Sequence, residues 1–260
     1  MRKCAYDECH TFEPQVHNQK YCLKCKCKRK RETNVLALNK ELIWDEERWE
    51  LQQARKAGNA NLKQQRDLYL LENKSFAMFD IEATNLKADY GEIICACIRD
   101  WKTGKTTTFS IDSGKSCKCC NRQIVKSDAE IVGEIRDELR KYDYVVTWFG
   151  TGYDMPYMTT RIMAAGEEPL GFTRHIDLYY TSKFKLLLHS NRLASIGDFA
   201  FGQTKKDSID MLTWLAAMRG DKKSLDYIVN HCKKDVAELG RVFDVLKQHR
   251  NIGETALRFY

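Results

Sequence analysis

"SFAMFDIEATNL", residues 75–86, decides how this chain is read. An apolar run, Phe76-Ala77-Met78-Phe79, leads into two carboxylates, Asp80 and Glu82, with one apolar residue between them. The run predicts a strand, and the side chains of a strand alternate between its faces with a period of two. Asp80 and Glu82 therefore project to one side, two like charges set against the hydrophobic trend around them. A strand end running into solvent tolerates such a pair. A bound divalent cation cancels its repulsion. Further carboxylates later in the chain have to decide between these readings.

Outward from this strand, EIICACIR (92–99) and KTTTFSID (105–112) read as two more, giving an antiparallel meander. SDAEIVGEIRDELRKY (127–142) predicts a helix with a capping box, Ser127 and Glu130, and an apolar stripe at Ile131, Ile135 and Leu139. A buried strand, DYVVTW (143–148), a helix from Met155 and a strand in GFTRHIDLY (171–179) follow, and helices fill the rest. The last helix, about 222–248, carries Leu225, Ile228, Cys232, Val236, Leu239, Phe243 and Leu246 on one stripe. Three strands, then alternating helix and strand, imply an α/β domain with a mixed five-stranded sheet and helices on both faces.

The chain's 260 residues, 43% of them hydrophobic, can hold one sizeable core plus an appendage. No apolar run is long enough to span a bilayer, and MRKCAYDEC lacks the hydrophobic region of a secretory signal. The expected address is cytoplasmic, the cytosol of a microbe or of a phage-infected host, with no membrane partner. Eleven cysteines without an export signal favour metal ligands or buried thiols over disulfides. The net charge of +7 is concentrated at the front, where residues 1–31 carry nine Lys/Arg against three Asp/Glu. A polyanion partner, most simply nucleic acid, follows from that block.

The front segment also holds Cys22-x2-Cys25, the spacing of a zinc knuckle, with Cys4-x4-Cys9 as a looser pair upstream. Four thiolates from Cys4, Cys9, Cys22 and Cys25 can close a tetrahedral Zn²⁺ site, and metal binding would be most of the folding free energy of so small a segment. Paired Cys, then F-x-P, then Q-K-Y-C-x-x-C and a basic run resemble the short zinc ribbons attached to microbial and phage nucleic-acid proteins. Residues 1–32 are thus expected to form a basic zinc-ribbon-like module. Residues 33–74, rich in Glu, Lys, Gln, Leu and Ala, predict a helical connector broken near Gly58-Asn59. The third region, 75–260, holds the α/β domain.

Two further acids join the opening pair. Asp154 stands where the strand DYVVTW passes through Gly150-Thr151-Gly152 into a helix, and Asp235 lies midway along the last helix in HCKKDVAEL. FDIEATNL, WFGTGYDMPYMTTR and HCKKDV, in that order, resemble the three motifs of the DEDD 3′–5′ exonuclease superfamily, which has a ribonuclease H-like fold. The resemblance covers about residues 75–248 and is nearest to the proofreading domain of B-family DNA polymerases. It implies that Asp80, Glu82, Asp154 and Asp235 hold two Mg²⁺ or Mn²⁺ ions, about 3.5–4 Å apart, to hydrolyse phosphodiesters at nucleic-acid 3′ ends. Hard cations prefer oxygen ligands, which fits this set.

His231 lies four residues before Asp235, so both side chains point into one site, and an imidazole suits a general base near neutral pH. Here the chain departs from its relatives, which carry Tyr four before the last Asp or His five before it. Phe149 is a second departure, standing where relatives often have Asn. The resemblance further assigns Thr84, Asn85 and Leu86 to the terminal nucleotide; Tyr153 is a candidate for base stacking and Arg161 for phosphate binding. The insertion SGKSCKCCNRQ (113–123) is unexplained by the family pattern. In it Cys117-x2-Cys120 offers a second knuckle without a clear partner pair, for which Cys119 or a distant His would have to help.

The sequence therefore points to a metal-dependent 3′–5′ exonuclease with DNA favoured as substrate. An exoribonuclease, or a non-catalytic zinc-containing nucleic-acid-binding protein, is the alternative.

Overall fold

Residues 76–79 are all fully buried, so both faces of the strand they begin are covered and the acids beyond them close an apolar run. The computed structural model describes residues 2–3, 11–12, 62–120, 123–202, 209–250, 252 and 255–260. It divides the chain into two units, Met1–Leu62 and Lys63–Tyr260, upstream of the boundary expected at 74/75. In the first, β1 (Arg2–Lys3) pairs antiparallel with β2 (Thr11–Phe12). Cys4, Cys9, Cys22 and Cys25 lie outside the described residues, as do residues 33–61 of the expected connector. Its remainder forms helix α1 (Leu62–Asn73), whose Leu70 is buried in the core of the larger unit.

The larger unit is built on one six-stranded sheet. The opening strand β3 (Phe76–Ala83) runs antiparallel to β4 (Ile93–Asp100), which pairs antiparallel with β5 (Thr106–Ser110). On its other side β3 runs parallel to β8 (Tyr144–Thr147), and β8 parallel to β9 (Phe172–Asp177). These are the five expected strands. The sixth, β10 (Leu257–Phe259), adds antiparallel to β9 and was not legible in the sequence. Beyond it the Tyr260 hydroxyl hydrogen-bonds His175 Nδ1 at 2.9 Å, while His175 Nε2 meets Thr147 Oγ1 at 2.8 Å. Burial, with the nearby cations Arg258 and Arg250, pushes His175 down to about 3.

After β5 the chain leaves the sheet in a hairpin of β6 (Asp112–Ser116) and β7 (Gln123–Val125). The expected capping box does not form. Ser127 accepts from the Ala129 N–H over a short 3-10 turn, Asp128–Glu130, and helix α2 (Val132–Leu139) begins after it. Asp128 turns inward instead, to accept from the Ile93 N–H at 2.9 Å. Then follow α3 (Asp154–Ala164), α4 (Leu178–Lys185), α5 (Leu193–Phe201), α6 (Met211–Met218) and the long α7 (Lys222–Leu246).

Helix α7 lies across β3 and β4, and the parity of β3 decides what it meets. Phe76 packs on Phe243 with ring centroids 5.5 Å apart, and Met78 lies against Gly240. Asp80 and Glu82 have the same parity, so they continue this face toward the N-terminal half of α7. Burying Phe76, Met78 and Phe79, each worth about 1.5–3 kcal/mol, fixes the register that aims the acids.

Candidate active site

The site forms where β3 and β8 part company. Their parallel pairing stops at Met78 and Val146, after which β8 passes into the loop 148–153 and β3 continues alone on that side. The N–H of Ile81, left without a strand partner there, donates to Asp154 Oδ1 at 3.3 Å. Asp154 opens α3, so its carboxylate also sits in the positive field of a helix N-terminus. It is thereby tied to the backbone between Asp80 and Glu82.

From the other side, α7 brings His231 and Asp235 over the same strand. His231 Nε2 lies 3.7 Å from Asp235 Oδ2 and 3.9 Å from Glu82 Oε1. The three side chains are only 10–15% exposed. One donor atom from each of Glu82, His231 and Asp235 falls within 4.8 Å of the other two. Cys232, next to His231, is buried and donates to the Asp80 carbonyl at 3.4 Å, which locks the helix against the strand. Asp80, His231 and Asp235 line one cleft of about 860 Å³. The carboxylate oxygens, largely buried and close together, fit a hard divalent cation; an imidazole is not a donor such ions prefer.

Burial pushes the Asp154 carboxyl up to about 7, and the charge of Asp177 adds to the rise. A cation beside Asp154 reverses such a shift by giving the charged form a partner.

The opposite side of the cleft is aromatic. Trp148, Phe149 and Tyr179 line it, with His189 and Arg192 from the segment before α5. Phe149 is the one non-glycine residue with positive φ among the described residues, at 63°, and its ring is 41% exposed. That conformation is strained for a bulky side chain and needs enforcement by its surroundings. The buried Asp177 supplies it, accepting from the N–H groups of Phe149 and Thr151 at 2.9 Å each, and of Tyr179 at 3.1 Å. Two glycines make room: a Cβ on Gly152 would meet the Phe149 ring at 2.6 Å, and one on Gly150 the Thr147 hydroxyl at 2.1 Å.

The other sequence-predicted residues fall as follows. Tyr153 is half-buried, its hydroxyl 3.5 Å from the Asn85 carbonyl, which it faces as donor. Leu86 is 81% exposed beyond the acids. Thr84 Oγ1 accepts from the Glu92 N–H, and Asn85 Oδ1 from the Lys87 N–H, so both side chains brace their own loop. Arg161 requires a correction. Its Nε and Nη2 donate to the buried Asp128 at 2.7 Å each and its Nη1 to the Ala88 carbonyl at 3.1 Å, so this guanidinium holds structure and does not reach for a phosphate. Tyr157 is 3% exposed and packs in the core. Sequence reasoning gives no role to Asp177, Trp148, Tyr179 or His189; the stretch HIDLY, which holds Asp177 and Tyr179, reads there as a strand and as similar to one of the family's connecting segments.

A mixed sheet with two parallel neighbours beside an antiparallel meander, and acids gathered at the C-terminal end of its central strand, defines a ribonuclease H-like α/β protein. The model of the RNase H superfamily matches residues 77–247, and the chain belongs to that superfamily. Among solved structures, the family B DNA polymerase from the hyperthermophilic archaeon Pyrobaculum calidifontis is similar in fold. The match covers 66% of this chain and 24% of the polymerase, with a TM-score of 0.51 at 15% identity. No curated protein matches the sequence. No helix among the described residues is long and apolar enough to cross a membrane.

Proposed function

We propose that this chain is a divalent-metal-dependent 3′–5′ exonuclease that releases nucleoside monophosphates from nucleic acid, DNA before RNA. The observation that carries the reading is the convergence of Glu82, His231 and Asp235 within 4.8 Å, in a cleft that Asp80 also lines. Asp80, Glu82, Asp154 and Asp235 would hold a pair of Mg²⁺ or Mn²⁺ ions. Bound there, the ions make water more acidic and neutralise charge on the phosphodiester and its departing 3′ oxygen.

The chain's own groups supply the rest. His231, flanked by Glu82 and Asp235, takes the proton of the attacking water as general base. Trp148, Phe149 and Tyr179 offer ring faces to the terminal base, and a stacked base is worth about 1–3 kcal/mol without regard to sequence. Arg192 and His189, in the same cleft, suit the phosphate backbone. Leu86, exposed beyond the acids, would part the last base from its neighbour. An N-terminal zinc module on Cys4, Cys9, Cys22 and Cys25 would add affinity through its basic run; that part of the reading rests on spacing and charge alone.

The test is digestion of single-stranded DNA carrying a 5′ label, with Mg²⁺, by the wild-type chain and by Asp80→Ala, beside an RNA of the same sequence. A ladder shortening one nucleotide at a time from the 3′ end, lost in the variant and faster on DNA, is the expected result. Equal degradation by both proteins, or internal cleavage, refutes an exonuclease at this site. Retention of the DNA without cleavage by either protein favours a binding module.

A further inference from the structure

The hairpin β6–β7 lacks what usually holds a hairpin. A two-stranded ladder is marginal in water without a hydrophobic face or a third strand. In β6 the exposure rises along the strand until its last three residues are open to solvent, and Ile124 in β7 is 49% exposed. The pairing is sparse too, with partners at Asp112 and Val125 and at Ser116 and Gln123 and a shift of register between them. A staple other than a core has to fix the tip.

Three cysteines stand there. The Sγ atoms of Cys117, Cys119 and Cys120 lie within 4.8 Å of one another, and those of Cys117 and Cys119 are 2.7 Å apart. Thiolate is the form of cysteine that binds metal, so three sulfurs this close can exchange their protons for one shared cation. Three sulfurs each about 2.3 Å from a tetrahedral ion stand roughly 3.8 Å apart, so small side-chain adjustments suffice. The set contains sulfur alone, with no carboxylate or imidazole joining it among the described residues. Thiolates select soft cations and disfavour the hard ones that suit the acid site.

We propose that Cys117, Cys119 and Cys120 form a three-thiolate site for a thiophilic cation, Zn²⁺ or Cu⁺, that staples the hairpin tip. The spacing Cys117-x2-Cys120 alone suggests a knuckle lacking half its ligands, with Cys119 or a distant His to help; of these the structure brings Cys119 within reach of the pair. Binding displaces the thiol protons, and on zinc the fourth position is left to solvent or a small ligand. The proposal is independent of the nuclease reading, because the site shares no residue with the acid cleft.

The test compares the full-length wild-type chain with the Cys117→Ser/Cys119→Ser/Cys120→Ser variant, both purified under reducing conditions. Metal content is measured by mass spectrometry after loading with Zn²⁺ in one arm and Cu⁺ in the other. The difference between the proteins is the readout, which removes any zinc held by the N-terminal cysteines. One equivalent less metal in the variant is expected in the arm that carries the native ion, with amide exchange across 112–125 slowed at least tenfold by that metal in the wild type alone. Equal metal content in both arms overturns the proposal. So does a disulfide among the three cysteines in the reduced preparation, seen by alkylation and mass. If the triple variant fails to fold, Cys119→Ser alone must lower affinity for the loaded metal at least tenfold, and unchanged affinity is equally fatal.

Discussion

The acid cleft and the hairpin tip both gather groups that repel one another when charged, and they differ in what does the gathering. Asp80 and Glu82 sit on a strand whose earlier residues are fully buried, and Asp235 on a helix locked to that strand, so the scaffold places them before any ion arrives. Cys117, Cys119 and Cys120 sit on a hairpin with almost no apolar cover. There the ion would supply the order. A preorganised site tunes chemistry, because its geometry does not depend on its ligand. A site assembled by its metal tunes structure.

The largest expected effect tests the preorganised half. His231→Ala should lower kcat about 10²- to 10⁴-fold with little change in KM, and His231→Tyr, the side chain relatives carry there, should recover part of it. Equal kcat in wild type and alanine variant removes His231 as base. Next comes Asp128→Ala, which orphans the buried Ile93 N–H and takes the carboxylate partner from the half-buried Arg161, and should cost about 3–5 kcal/mol in denaturant unfolding. A cost near zero would mean the scaffold under the cleft is not held by this pair. Acid titration comes third. His175 is lowered from the ordinary 6.5 to about 3, so between those values the unfolded chain binds a proton that the native state refuses. Stability should therefore fall as pH drops below 6.5, by at most about 1.4 kcal/mol per unit, and His175→Gln should flatten that slope.

Smaller effects sharpen the contrast at its edges. Phe149→Ala should raise KM for single-stranded DNA by the equivalent of about 1–3 kcal/mol while leaving kcat within a few fold. A fall in kcat alone would assign the ring to support of the loop. Last, in metal-free buffer, replacing Cys117, Cys119 and Cys120 by serine should leave global stability within about 0.5 kcal/mol, as for exposed substitutions generally. A larger loss would mean that the hairpin braces the sheet.

How much of this was legible follows from sequence distance. The shared face of Asp80 and Glu82 follows from a period of two, and that of His231 and Asp235 from helical spacing; both are local rules, and in the structure His231 lies near Glu82 and Asp235 while Asp80 lines one cleft with His231 and Asp235. The meander and the two parallel strands were visible as apolar runs between turns. Partnerships across many residues were not. Arg161 looks like a free cation until Asp128, separated from it by two elements, is folded beneath it. Asp177 ends a strand like any polar residue, and only the fold brings it under the loop that carries Phe149. The strand β10 is three residues long and two of them are exposed, so it left no periodic signal.

The parity of β3 has an implication for how this protein can vary. Phe76 and Met78 set the face on which Asp80 and Glu82 point, so inserting or deleting one codon between Met78 and Asp80 would swing both acids toward the far side of the sheet. A change of two residues would restore their direction and displace them along the strand by about 7 Å. Indels in this segment should therefore be absent from functional descendants, while the hairpin, a ladder separate from the main sheet, is free to lengthen or shrink.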